Sequence, residues 1–153
     1  MAALAFTRLG KLCGRADLLA DARDILDFAA EVMTKSPMAS GQLHNALDMV
    51  MGPTPEIVLL GDRGESGTAD SLSSFWQSFI PNRVIACRAA ADAEGGSRLL
   101  DPIFVGRNPL YGSPTLFVCQ KFACESPVSG KQATIAKWKS LVDGGRALPE
   151  VRG

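Results

Sequence analysis

Glu56-Ile57-Val58-Leu59-Leu60-Gly61-Asp62 is the stretch that decides the fold. Four consecutive apolar residues, entered from Pro53 and Pro55 and closed by Gly-Asp, predict a short buried strand. Upstream of it the pattern is helical throughout. Downstream, short β-rich runs alternate with helical ones. The expected class is therefore α/β, with this strand at the handover between two architectures.

Three helices are expected before the strand. Ala2, Phe6, Leu9 and Cys13 recur at helical steps and predict a face over residues 2–13, stopped by Gly14 at a left-handed helix end. Over residues 16–35, Leu18, Ala22, Ile25, Ala29 and Val32 form one stripe, and Leu19, Leu26 and Met33 widen it. An arc that wide predicts contact with helices on two sides. Ser36-Pro37 ends this helix, because the residue before proline is pushed out of the α region. A third helix, about 40–51, presents Leu43, Ala46, Leu47 and Val50. Three helices with broad apolar faces look like the end of a larger helical array.

Beyond the strand, Thr68 or Ser71 can cap a helix reaching about Ile80, with Leu72, Phe75, Trp76 and Phe79 as its apolar face. Arg83 to Cys87 reads as a second strand. Strand, helix and strand in that order predict a parallel pair. Leu99 to Val105 reads equally as a helical turn or an extended segment. Asn108 to Pro114 marks a turn, and Thr115 to Cys119 is a third strand. Ser129 with Gln132 fits a capping box opening a last helix to about Val142, which buries Ile135, Trp138 and Leu141. From Asp143 the tail is expected to fray. The architecture expected is a helical part, then a three-stranded, mostly parallel sheet with flanking helices.

Bulk composition excludes several function classes. In 153 residues, 16 basic side chains balance 16 acidic ones. Such a chain has no field to draw in nucleic acid or an anionic membrane, and neither partner is expected. No apolar run approaches the ~20 residues of a membrane span, and nothing basic precedes the apolar N-terminus as in a signal peptide. Four cysteines at irregular spacing are too few for a disulfide scaffold, so a reducing, cytoplasmic setting is expected.

No catalytic signature stands alone. Cys119 and Cys124 are the candidate thiols, close enough in sequence to exchange electrons or share a soft metal. Four intervening residues leave room for the ~4.4–6.8 Å Cα separation of a disulfide, while the cytoplasmic setting predicts that the bridge is open. Redox pairs of known mechanics sit on a helix N-terminus with two residues between them, unlike this pair. Zinc would need four ligands, and only His44 and Cys87 could join, so no metal is expected. If all three strands ran parallel, Asp62, Arg88 and Cys119 would share the carboxyl edge of the sheet, where ligands bind. Asp62 and Arg88, with Cys87 beside them, are thus candidates for a ligand edge. The competing reading is that Asp62 caps its own turn. The glycines after it lack a P-loop lysine and the dinucleotide spacing, so no nucleotide cofactor is expected. His44 reads as a partner for a backbone carbonyl, the carboxylates Asp21, Asp24 and Glu31 as a solvated helix face, and Trp76 and Trp138 as core.

An ordered set of short segments carries a family resemblance. It comprises Pro37-Met-Ala-Ser-Gly41-Gln42, Ala46-Leu47-Asp48, Pro55-Glu56-Ile57-Val58 with Gly61-Asp62, and Phe79-Ile-Pro81-Asn82. Pro114-Thr115 and Val118-Cys119-Gln-Lys-Phe122-Ala-Cys124-Glu-Ser-Pro127-Val128 continue it. From about Ala3 to Leu141 the chain resembles the C-terminal end of the spermatogenesis-associated, thioredoxin-domain-containing protein family. The resemblance implies a thioredoxin-like domain, a six-hairpin (α/α) toroid like that of sugar-directed glycosidases and epimerases, and then a small α/β region. On it, residues 1–52 are the last toroid helices, 53–145 the α/β region and 146–153 a frayed tail. It implies a non-catalytic C-terminal region whose partners are the missing toroid and thioredoxin-like domains, and which self-associates when alone through exposed side chains such as Phe6, Ile25 and Met33. It marks Cys119, Phe122, Cys124 and Pro127 as motif positions. The alternative is a thiol-dependent redox or soft-metal-binding module built on Cys119 and Cys124.

Overall fold

The computed structural model describes residues 1–89, 97–110, 113–120 and 123–146. Three helices lead: α1 (Ala2–Cys13), α2 (Ala16–Lys35) and α3 (Gly41–Met51). Gly14 ends α1 at φ 62°, the left-handed conformation expected of it, and its N–H bonds back to the Gly10 carbonyl. Ser36 closes α2, and Pro37 opens a single 3-10 turn leading into α3.

The buried face of α1 differs from the expected one. Ala3, Thr7 and Gly10 are buried, while Leu9 is exposed and Phe6 only half-buried. Small residues here set the helix spacing. A Cβ on Gly10 would lie 2.7 Å from the Leu19 side chain, so α2 approaches α1 at a distance only glycine permits. Thr7 satisfies its hydroxyl locally by donating to the Ala3 carbonyl at 2.8 Å. On α2 the interior side is Ala22, Leu26 and Met33, the last two packed with Ala3 of α1 and Ala46 of α3. Met33 is thus in the core rather than at the surface. Phe28 and Val32 are exposed on α2 instead.

Strand β1 (Glu56–Leu60) is buried as expected, with Ile57, Val58 and Leu59 fully enclosed. It pairs in parallel with β2 (Val84–Arg88) after crossover helix α4 (Ser66–Trp76). The start of α4 is earlier than expected, so Thr68 and Ser71 lie buried within the helix and neither caps it. Its end is earlier too. Gln77 closes it, Ile80 turns into the core, and Trp76 and Phe79 are left exposed, which corrects their assignment to the apolar face.

The third strand reverses the expected topology. β3 (Thr115–Gln120) runs antiparallel to β1, with Leu60 opposite Thr115 and Glu56 opposite Cys119. A parallel connection must carry the chain back along a five-residue strand, about 17 Å. Between β2 and β3 the described helix is α5 (Asp101–Phe104), preceded by a 3-10 turn at Arg98–Leu100. At ~1.5 Å per residue α5 spans only about 6 Å, and β3 begins beside the carboxyl end of β1, where Thr115 pairs with Leu60. Two short strands, β4 (Ala123–Cys124) and β5 (Val128–Ser129), pair with opposite ends of the free edge of β3. The result is a five-stranded mixed sheet of order β2-β1-β3-β4, with β5 beside β3, in place of a three-stranded, mostly parallel one. The α/β class stands.

Alternation along β1 sends side chains to two different layers. Val58 and Leu60 join Val84, Ala86, Phe117, Ile103 and Phe104, with Leu4 and Leu12 of α1 packed against them. Met49 of α3 reaches the same cluster, so the leading helices and the sheet share one core. Ile57 and Leu59 face Phe75 of α4 and Trp138 of α6 (Lys131–Arg146) on the other side. Helix α6 runs past the point where fraying was expected; residues 147–153 lie outside the described residues.

Gly61 is the joint between β1 and α4. A Cβ there would collide with the Thr68 hydroxyl and lie 3.0 Å from Ser113 Oγ and 3.2 Å from Pro114 Cβ. Thr68 and Pro114 are buried and cannot retreat. Gly61→Ala is expected to destabilise the protein by ~1–3 kcal/mol, the usual range for overpacking, read as a lower urea midpoint at unchanged slope.

Candidate functional site

The antiparallel β3 separates the residues expected at one sheet edge. Asp62 and Arg88 remain together at the carboxyl end of β1 and β2, where the Gly61 N–H donates to the Arg88 carbonyl at 3.0 Å. Cys119 lies at the opposite end, paired with Glu56. The proposed three-residue edge is therefore not formed. Asp62 is exposed and accepts a 2.8 Å hydrogen bond from the Gly64 N–H, the turn-capping role read as its alternative. Arg88 donates to Asp101 at 2.8 Å and lies 4.1 Å from the Phe104 ring centre, so its guanidinium tethers α5 to β2.

Cys87 belongs to the other layer. It packs on the α4–α6 side of the sheet, away from Cys119, so the three thiols are not brought together. Burial pushes its thiol pKa up, against a smaller opposing effect of Arg63, and keeps it neutral at pH 7. His44 is exposed on α3, where Nδ1 is 3.1 Å from the Ser40 carbonyl and 3.3 Å from its hydroxyl. Among the described residues, no group of three or more His, Cys, Asp and Glu side chains is arranged to hold a metal ion.

Cys119 and Cys124 do come together. They face each other across the β3–β4 ladder with Cα atoms 3.9 Å apart and their sulfurs joined in a disulfide. The expectation of two open thiols is corrected, and so is the Cα separation expected for a bridge. Antiparallel pairing sets Cys119 directly opposite Cys124, which brings the two side chains together. The motif's Phe122 lies outside the described residues, and Pro127 immediately precedes β5. The two sulfurs differ in environment: Cys119 is 2% exposed, whereas Cys124 is exposed.

Arg107, which the sequence did not single out, completes the site. It follows Gly106, whose φ of 74° turns the chain after α5. Its Nη1 donates to the Ile103 carbonyl, and its Nη2 lies 3.0 Å from Cys119 Sγ and 3.8 Å from Cys124 Sγ. Its Nε is buried without a hydrogen-bond partner among the described residues. A cavity of about 400 Å³ opens beside the bridge, between α1, α5 and the sheet. Lys11, Glu56 and Arg107 bring its charges, and Lys11 Nζ is 3.5 Å from Glu56. Lys11 arrives from α1 and Glu56 from the first residue of β1, so neither is near the cysteines in sequence.

Comparison with protein-family models, curated proteins and solved structures found no match to this chain. The fold and the site define a mixed α/β protein with a bridged cysteine pair held beside an arginine. No helix among the described residues is long and apolar enough to cross a membrane.

Proposed function

We propose that this chain is the non-catalytic C-terminal region of a cytoplasmic, thioredoxin-domain-containing, six-hairpin-glycosidase-like protein. Residues 1–52 are the last helices of its α/α toroid, and residues 53–145 are the α/β region that closes the end. The observation that carries this reading is the outward face of α2 and the turn after it. Phe28 is 92% exposed and Met38 97%, with Val32 exposed one helical turn from Phe28. Large apolar side chains exposed together on one side of a helix, as Phe28 and Val32 are, mark a surface that another element covers. The ordered likeness of the chain to the spermatogenesis-associated, thioredoxin-domain-containing family names that element as the preceding toroid helices. Close packing of α1 against both α2 and the sheet suits a wall joining toroid to α/β region. Supplying the preceding toroid helices in the same polypeptide is expected to protect Phe28 and Met38 from oxidative footprinting and raise the melting temperature. Unchanged labelling of both residues would overturn the proposal.

A second reading is favoured by the Cys119–Cys124 bridge: a thiol-dependent redox module. In a reducing compartment a lone disulfide is usually transient and catalytic or redox-sensing rather than structural. The bridge joins the paired strands β3 and β4 beside a cavity and an arginine. Those are the surroundings of an exchangeable pair.

A further inference from the structure

Resting on the thiol reading of this pair, we infer that Cys124 is the sulfur attacked, that Cys119 is the leaving thiolate, and that Arg107 is the group receiving its charge. The partner is a low-molecular-weight thiol bearing a carboxylate. Access decides the first role. Cys124 is exposed to solvent as well as to the cavity that both cysteines line, while Cys119, 2% exposed, is met only from that cavity. Electrostatics decides the second. When the S–S bond breaks, its electron pair must rest on one sulfur, and Arg107 Nη2 already stands 3.0 Å from Cys119 against 3.8 Å from Cys124. A guanidinium at that distance stabilises a thiolate, and a better-stabilised thiolate leaves faster.

The exchange balances in two steps. An external thiolate attacks Cys124 Sγ, forming a mixed disulfide and releasing Cys119 as a thiolate. A second external thiolate then attacks the external sulfur of the mixed disulfide and frees Cys124, which takes up a proton. Two thiols leave as one disulfide, and the protein bridge has gained two electrons. The cavity beside the bridge, about 400 Å³, is of small-molecule size. Its lining charges, Lys11 and Arg107 against Glu56, sum to a net positive, which favours an anionic thiol.

The test begins with the wild-type chain treated with 3-mercaptopropionate, quenched by rapid alkylation and mapped by peptide mass. The adduct is expected on Cys124, with Cys119 alkylated. Cys119→Ser should take up a stable adduct from the symmetrical disulfide of the same thiol, and Cys124→Ser should not. Arg107→Gln should slow opening roughly tenfold, because leaving-thiol basicity sets the rate, and Arg107→Lys should recover part of it. With each thiolate's rate divided by its rate on a simple linear disulfide, which removes the difference in intrinsic nucleophilicity, cysteamine should react more slowly than 3-mercaptopropionate; the reverse order overturns the carboxylate assignment. Adducts on Cys119, or an Arg107→Gln rate equal to wild type, overturn the assigned roles while leaving the pair redox-active. A bridge that opens only in denaturant overturns the thiol reading itself.

Discussion

Replacing Trp138 with alanine is expected to destabilise the protein by ~3–5 kcal/mol, the range for deleting a large core aromatic. Trp138 is 0% exposed and is the centre of the layer between the sheet and helices α4 and α6. Its ring centre lies 4.4 Å from that of Phe75, tilted by 35°, and the Arg83 guanidinium sits 5.6 Å from it. Removing the indole therefore leaves a cavity facing Ile57, Leu59, Leu116 and Val118, none of which can move without disturbing the strands. Against a net stability of ~5–15 kcal/mol, much of the population would be poised to unfold. Trp138→Phe should cost at most about half as much. It keeps the aromatic contact and removes an indole N–H that has no hydrogen-bond partner among the described residues. Urea denaturation measures both. A midpoint shift worth less than ~1 kcal/mol for the alanine variant would mean that this layer does not hold the sheet.

Trp138 was legible in the sequence, and so was β1, for related reasons. Both lie in patterns where large apolar residues mark the interior. The Gly14 and Ser36-Pro37 stops were legible because backbone sterics act locally. The face of α1 was not. Its buried positions are Ala3, Thr7 and Gly10, and a pattern search for large apolar residues settles on Phe6 and Leu9 instead. The direction of β3 was not legible either, because Thr115 to Cys119 reads the same in a parallel or an antiparallel sheet. The connection from β2 to β3 is long enough for either direction, and the sequence left Leu99 to Val105 undecided between helix and extended chain. That one reversal moved Cys119 from the Asp62 edge to the Glu56 end. It also explains how the site was half seen. Cysteine spacing pointed to Cys119 and Cys124, but Arg107, Lys11 and Glu56 meet them only through the antiparallel register and the packing of α1.

The outward face of α2 carries the second large effect. Phe28 and Val32 are four residues apart on one side of the helix, and Met38 follows in the 3-10 turn. Each large apolar side chain left in water forgoes ~1.5–3 kcal/mol of burial. A patch of this kind beyond a few hundred Å² drives association when its cover is missing. Changing Phe28→Glu together with Val32→Lys should abolish self-association while altering monomer stability by less than ~1 kcal/mol, since neither side chain is in the core. The most direct measurement is sedimentation equilibrium of the 153-residue chain, alongside binding of a hydrophobic dye. The wild-type chain is predicted to self-associate and bind dye, and the double variant to be monomeric and dark. A wild-type chain that is monomeric, binds no dye and melts in one sharp transition would contradict an α2 face built to be covered by preceding helices.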